Sequence, residues 1–179
     1  MLTVGDRFPA YRLRTVVSAS DPSSAFRDID ERTHAGRWKV FVFYPKDFTF
    51  VCPTELAGFG RLNADFEDRD TTLLVGSTDS EFVHLAWKKS HDDLRELPCP
   101  MFSDLRRDLS QALGILDADG VCKRATFVVD PDGVIRFVSV NDGKVGRSPE
   151  EVLRVLDALQ TDELCACNWK PGQAPLKVA

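Results

Sequence analysis

The segment RWKVFVFYP, Arg37 to Pro45, is mostly apolar, aromatic and β-branched. That pattern predicts a buried strand that Pro45 ends. In the following PTELAGFGRLNADFEDRD, positions Leu56, Phe59, Leu62, Asn63 and Phe66 recur at helical spacing, which predicts one amphipathic helix with a single polar member on its inner face. TTLLVGSTDS reads as a second strand, after which Ser80 can cap a helix with apolar positions at Phe82, Val83, Leu85 and Ala86. CPMFSD predicts a short strand. LRRDLSQALG predicts a helix with Leu105, Leu109, Ala112 and Leu113 on one side and Gly114 at its end.

ATFVVDPDGVIRFVSV holds two alternating runs around DPDG. Pro pre-sets one dihedral there and Gly tolerates positive φ, so the stretch predicts a hairpin. In SPEEVLRVLDALQ, Ser148 can cap a helix, Pro149 suits its first position, and Val152, Val155, Leu156 and Leu159 form the buried stripe. GDRFPAYRLRTVVSASDPSSAFRDID is turn-rich with short extended pieces. The ending TDELCACNWKPGQAPLKVA shows no clear periodicity. This order predicts an α/β fold with a central mixed sheet flanked by helices. The expected boundaries are a domain over 1–160 and a mobile C-terminal tail over 161–179.

Composition narrows the function. The chain has 179 residues, which suits one domain, and 43% are hydrophobic, enough for a core. Its net charge of -5, from 28 acidic and 23 basic residues, argues against non-specific binding of nucleic acid or anionic membranes. No apolar run is long enough for a membrane span, and the opening MLTVGDRFPA does not resemble a secretory signal. The five cysteines, Cys52, Cys99, Cys122, Cys165 and Cys167, form no regular disulfide framework. A cytoplasmic location with mostly reduced thiols is expected.

Cys52 lies seven residues after Pro45 and beside the start of a predicted helix. Active sites of open α/β sheets lie beyond the carboxyl ends of strands. First-turn amides without intrahelical acceptors, together with the helix dipole, favour a thiolate there. Pro53 supplies no amide proton, which that turn tolerates, and Thr49 can turn its hydroxyl toward the same point. A packed, inert cysteine and a nucleophile both fit this position. Metal ligation fits less well, because His34, His84 and His91 have no ligand-like spacing to Cys52. A CxxC dithiol is excluded by Glu55. At the other end, Cys165 and Cys167 form C-x-C, open to three readings: incidental thiols, half of a zinc site, or a redox pair. His84 and Trp87 read as a packed helix face with a satisfied histidine. Cys99 and Cys122 read as buried, inert thiols.

The segment FYPKDFTFVCPTE resembles the active-site stretch of the peroxiredoxins, specifically the typical 2-Cys, AhpC-type group and its actinobacterial alkyl hydroperoxide reductases. The likeness extends through VGDRFPAYRL, DSEFVHLAW, RATFVVDPDGVIRFVSV and DELCACNW, nearly the whole chain. The resemblance implies a thioredoxin-like fold with peroxiredoxin additions. It implies reduction of hydrogen peroxide and organic hydroperoxides by Cys52 as peroxidatic cysteine, in a pocket shaped by Pro45 and Thr49. Arg124 would face the sulfur and the peroxide, and Glu55 would hold the arginine.

By the same resemblance, Cys165 is the resolving cysteine, forming a disulfide across to the partner subunit of a dimer that assembles into a ring. Where the family pattern has Pro after this cysteine, the chain has Ala166 and then Cys167, an alternative resolver or a relay. A disulfide reductant, a thioredoxin or an AhpD-type protein, is implied, and no metal or other cofactor. The rival readings are a thiol-based redox sensor or holdase-type interaction protein and, more weakly, a structural zinc module. The chain also lacks the GGLG loop and the YF ending that lock the active-site helix in eukaryotic relatives.

Overall fold

The computed structural model describes residues 1–19 and 24–177; residues 20–23 of the turn-rich N-terminal segment and 178–179 of the tail lie outside that description. Seven strands form one mixed sheet: β1 (Arg12–Val16), β2 (Phe26–Asp30), β3 (Trp38–Phe43), β4 (Thr71–Ser77), β5 (Met101–Ser103), β6 (Arg124–Val129) and β7 (Ile135–Asn141). Six helices accompany them: α1 (Cys52–Arg61), α2 (Asn63–Glu67), α3 (Glu81–Ser90), α4 (Asp92–Arg95), α5 (Asp108–Leu113) and α6 (Pro149–Gln160). The sheet order is β2-β1-β5-β4-β3-β6-β7. β3, β4 and β5 run parallel, joined by helical crossovers, while β1–β2, β1–β5, β3–β6 and β6–β7 pair antiparallel. This is the mixed sheet expected, extended by an N-terminal hairpin that the turn-rich composition concealed.

The near-continuous apolar run of β3 follows from its place in the sheet. A strand buried on both faces has no solvent side to mark with polar residues. Val40 and Val42 join one core with Leu56, Phe59, Phe66, Trp87, Val152 and Leu156. Phe41 and Phe43 join the other with Phe8, Tyr11, Leu109, Leu113 and Phe127. One face is thus covered by the helices of the middle and end of the chain, the other by the N-terminal segment and α5.

Local signals act as expected at several ends. Ser80 accepts from the Val83 amide at the start of α3, and Ser148 from the Glu151 amide at the start of α6. In the hairpin turn the Gly133 amide bonds the Asp130 carbonyl at 3.0 Å, and Gly133 adopts φ +83°, a conformation that costs glycine least.

Three expectations change. The single helix after Cys52 is two, broken at Leu62, whose φ and ψ of -94° and 7° leave helical geometry. The buried Asn63 then bonds Glu67, four residues on in α2, at 2.8 Å. The buried face of α3 is His84, Trp87 and Lys88, whereas Phe82 and Ala86 are exposed. Lys88 enters the interior because its Nζ finds the Leu97 carbonyl, and Phe82 instead lies against the Phe26 ring. Leu105 precedes α5 and is exposed; the helix begins only at Asp108, where the Asp104 carboxylate receives the Leu109 and Ser110 amides.

Residues 161–177 hold no helix or strand but are tied back. The Arg154 guanidinium donates to the Trp169 carbonyl at 3.0 Å, the Leu176 amide to the Leu164 carbonyl at 2.8 Å, and the Trp169 ring is buried.

Gly76, central in β4, tests the sheet packing. A Cβ there would collide with the Phe102 carbonyl and ring on β5. Gly76→Ala is expected to lower unfolding stability by at least about 1–3 kcal/mol, read from the urea midpoint.

Candidate functional site

β3 ends at Phe43, and the segment 44–51 carries the chain over the carboxyl end of the sheet into α1. Cys52 is the first residue of α1. Its predecessor Val51 is already in the right-handed helical region, at φ -80° and ψ -41°, and no side chain caps the helix. The Val51 carbonyl accepts from the Thr54 and Glu55 amides and from the Thr54 hydroxyl, which closes the first turn. Pro53 fits there because a first-turn amide has no intrahelical partner to lose. The Cys52 thiol is 1% exposed.

Arg124 opens β6 and is buried against this turn. Both of its terminal nitrogens, Nη1 and Nη2, lie 3.7 Å from Cys52 Sγ. Nη1 also donates to Glu55 Oε2, and Nη2 to the Gly143 carbonyl at 2.8 Å. Its Nε is buried with no protein partner. Glu55, one turn after Cys52, is buried as well. It accepts from the amide, Nε and Nη2 of Arg147 at 2.7, 2.9 and 2.9 Å. Arg147 is further fixed by the Ala125 carbonyl and the Thr126 hydroxyl, and its guanidinium carbon lies 5.8 Å from the Phe59 ring centre.

One carboxylate therefore holds two guanidiniums. Burial on its own would raise the Glu55 pKa, but the Arg147 hydrogen bonds and the charges of Arg147 and Arg124 outweigh it, and the carboxyl is held below the usual range. Two cations and one anion leave a net positive charge beside the buried sulfur.

The structure thus brings together Cys52, Arg124 and Glu55, which lie up to 72 residues apart. Pro45 is half-buried two residues after the end of β3. Thr49, also half-buried, donates its hydroxyl to the Lys46 carbonyl at 2.9 Å, so its oxygen lone pairs remain to accept. Cys165 and Cys167 are not at this site. Cys165 lies just beyond α6, its sulfur 3.5 Å from the Thr161 hydroxyl and 3.9 Å from the Ala158 carbonyl, and Cys167 is exposed. Among the described residues no disulfide is formed and no group of three or more metal-binding side chains comes together.

The other two thiols are buried away from this chemistry. Burial pushes Cys99 up to about 12, partly offset by Lys88, and raises Cys122 still further. Cys122 donates to the Tyr44 carbonyl at 3.0 Å. Sequence reasoning missed Arg147. It stands in a loop before a helix cap, with no periodicity to mark it, and only the fold brings it to Glu55, 92 positions away. It also missed Asp47 and Tyr44, which meet His84.

Comparison with known proteins places the chain in a family. The model of the AhpC/TSA family matches residues 4–138. The alkyl hydroperoxide reductase C of Mycolicibacterium smegmatis is 56% identical, in an alignment covering 96% of this chain and 92% of that protein. The structure of Mycobacterium tuberculosis AhpC superposes with a TM-score of 0.88 at 55% identity, covering 95% of this chain and 99% of that one. A reduced 2-Cys peroxiredoxin of Plasmodium vivax superposes with a TM-score of 0.89 at 30% identity, covering 97% and 92%.

Glu55→Gln tests the clamp. Removing one partner of a buried ion pair strands the others, so stability at pH 7 is expected to fall by about 3–5 kcal/mol. Because the folded carboxyl titrates low, its contribution is present above the ordinary carboxylate range and lost as pH falls through the lowered value. Urea unfolding of both proteins from pH 7 downward should show the gap between them closing; a gap independent of pH contradicts the clamp.

Proposed function

The chain belongs to the AhpC/TSA family and is a peroxiredoxin, a peroxide-reducing enzyme; from that premise we propose that it reduces hydrogen peroxide and organic hydroperoxides through Cys52, with Cys165 resolving the product. The observation that carries this reading is the double approach of Arg124 to the Cys52 sulfur, held from behind by Glu55.

In the proposed reaction a thiolate at Cys52 balances the extra positive charge of the Arg124–Glu55–Arg147 cluster. It attacks one peroxide oxygen in line with the O–O bond. That bond breaks, sulfur keeps the attacked oxygen as a sulfenic acid, and the second oxygen leaves with the electron pair, taking a proton to become water or alcohol. Negative charge grows on the leaving oxygen, where fixed guanidinium donors are worth most in a water-poor site. Arg124 Nε, buried without a protein partner, is a donor available to substrate. Thr49 donates to Lys46 and accepts from the peroxide, which aligns it, and Pro45 shields the sulfur's side of the pocket.

A Cys165 thiolate then attacks the sulfenic sulfur, forming a disulfide and releasing hydroxide, which is protonated to water. Geometry favours a partner's thiol for this step. α6 begins beside Glu55, where Arg147 is anchored, and its twelve residues run about 18 Å. Its far end reaches the start of β4, where Gln160 and Asp157 bond Arg69. Each chain's Cys165 thus sits at the opposite end of the sheet from its own Cys52, which supports an intersubunit disulfide in a dimer, with dimers assembling into a ring.

In this reading residues 1–160 are the catalytic domain and 161–179 the tail that delivers the resolving thiol. The exposed Cys167 suits an alternative resolver or a relay to an external dithiol reductant, a thioredoxin or an AhpD-type protein. No helix among the described residues is long and apolar enough to cross a membrane, and we place the enzyme in the cytoplasm.

Peroxide consumption with a dithiol reductant should be lost in Cys52→Ser; unchanged consumption removes the assignment. After one equivalent of peroxide, mass spectrometry of non-reduced peptides should find Cys52 joined to Cys165. A linkage of Cys52 only to Cys167 would transfer the resolving role.

A further inference from the structure

His84 is fully buried on α3, in a cluster that the chemistry above does not use. Its Nε2 lies 3.0 Å from the Phe102 carbonyl oxygen. A carbonyl oxygen only accepts, so Nε2 carries a proton. Its Nδ1 lies 2.7 Å from Asp47 Oδ2 and 3.3 Å from the Tyr44 hydroxyl. An unprotonated Nδ1 at that distance from a carboxylate would set two lone pairs against each other, whereas a charge-assisted N–H···O bond has that length. Tyr44, whose hydroxyl faces Nδ1, is buried with the pair.

Asp47 is where this cluster meets the active site. Its amide donates to Asp79 Oδ2 at 2.9 Å, and Asp79 is held by the Ser77 hydroxyl and, through its carbonyl, by Ser103. From Asp47 the chain passes Phe48, which takes φ +55° and packs 6.0 Å from the Trp87 ring, then Thr49 and the 93%-exposed Phe50. Beyond Cys52, Glu55 is buried and multiply bonded. Asp47 and Glu55 therefore stand as two fixed posts, and the segment between them carries Thr49 and Cys52.

We propose that His84 is held as an imidazolium that donates from both ring nitrogens, and that by gripping Asp47 it is a positioning residue for the Thr49–Cys52 segment; the positioning role rests on the peroxidase reading. The surroundings suit a cation. Asp79, in the turn before α3, adds negative charge beside Tyr44, while Cys122, its thiol raised chiefly by burial, stays neutral. Arg147 is directed to Glu55, Lys88 turns to the Leu97 carbonyl one turn further along α3, and His91 lies beyond the Trp87 ring. The post fixes the entry to the segment and leaves the uncapped first turn of α1 free to unwind when the sulfenic acid must leave its pocket.

The test is nitrogen NMR on reduced, histidine-labelled protein at pH 7.5, with the His84 signals identified by their loss in His84→Gln. Both ring nitrogens of His84 should read as protonated, and Asp47→Asn, whose amide can donate to a neutral Nδ1, should return the ring to one proton. An unprotonated Nδ1 in the wild type overturns the proposal. The rate of Cys52 oxidation by peroxide should fall about tenfold in Asp47→Ala, through misplacement of Thr49, and largely recover in Asp47→Asn. Equal losses in the two variants overturn the positioning role. The ring signals need no turnover, so a failed peroxidase reading, seen as unaltered consumption in Cys52→Ser, is distinguishable from a failed imidazolium.

Discussion

One buried carboxylate organises the active end of this molecule. Glu55 accepts from Arg124, which opens β6, and from Arg147, which precedes α6. Two guanidiniums could not be packed together in the interior without that charge between them. Because Glu55 sits one turn after Cys52 on the same helix, the turn bearing the thiol is tied to the arginine that faces it. The sulfur, the guanidinium that faces it and the start of α6 are thus parts of a single constraint.

The same constraint separates what is rigid from what must move. Behind Cys52 the helix is anchored through Glu55 and packed on its apolar face through Leu56 and Phe59. Ahead of it the chain is held at Asp47. Between them lie a left-handed Phe48, an exposed Phe50 and a helix start with no side-chain cap. These features cost local stability, and they are concentrated where the proposed cycle requires a thiol buried for its first reaction to emerge for its second. Cys165 is tied at the opposite end of the sheet by the turn after α6, so in the proposed cycle the thiol that meets Cys52 comes from a partner subunit.

Much of this was legible in the chain. The DPDG turn between β6 and β7, the serine caps at Ser80 and Ser148, and the two-sided burial of β3 are local signals, and each acts as its chemistry predicts. The expectation for Cys52 came from its position beside a helix start, and the resemblance carried Arg124 and Glu55. What sequence could not reveal depends on chain paths. Arg147 looked like any loop arginine, because its meaning comes from a residue 92 positions away. His84 read as a satisfied buried histidine, and it is one, but Asp47 and Tyr44 as its partners arise only once β3 and α3 lie side by side. Phe82 and Leu105 fit an apolar pattern and are exposed, since hydrophobicity alone does not say whether a neighbour exists to cover it.

In the proposed reaction Arg124, fixed by Glu55, supplies the charge that accelerates attack by Cys52. The most direct measurement is the second-order rate of Cys52 oxidation by hydrogen peroxide in stopped flow, comparing the wild type with Arg124→Lys. Lysine keeps the charge but loses the fork that reaches sulfur, Glu55 and Gly143 together. A fall of about 100-fold is expected in a variant that still folds, and an unchanged rate would contradict this role for Arg124.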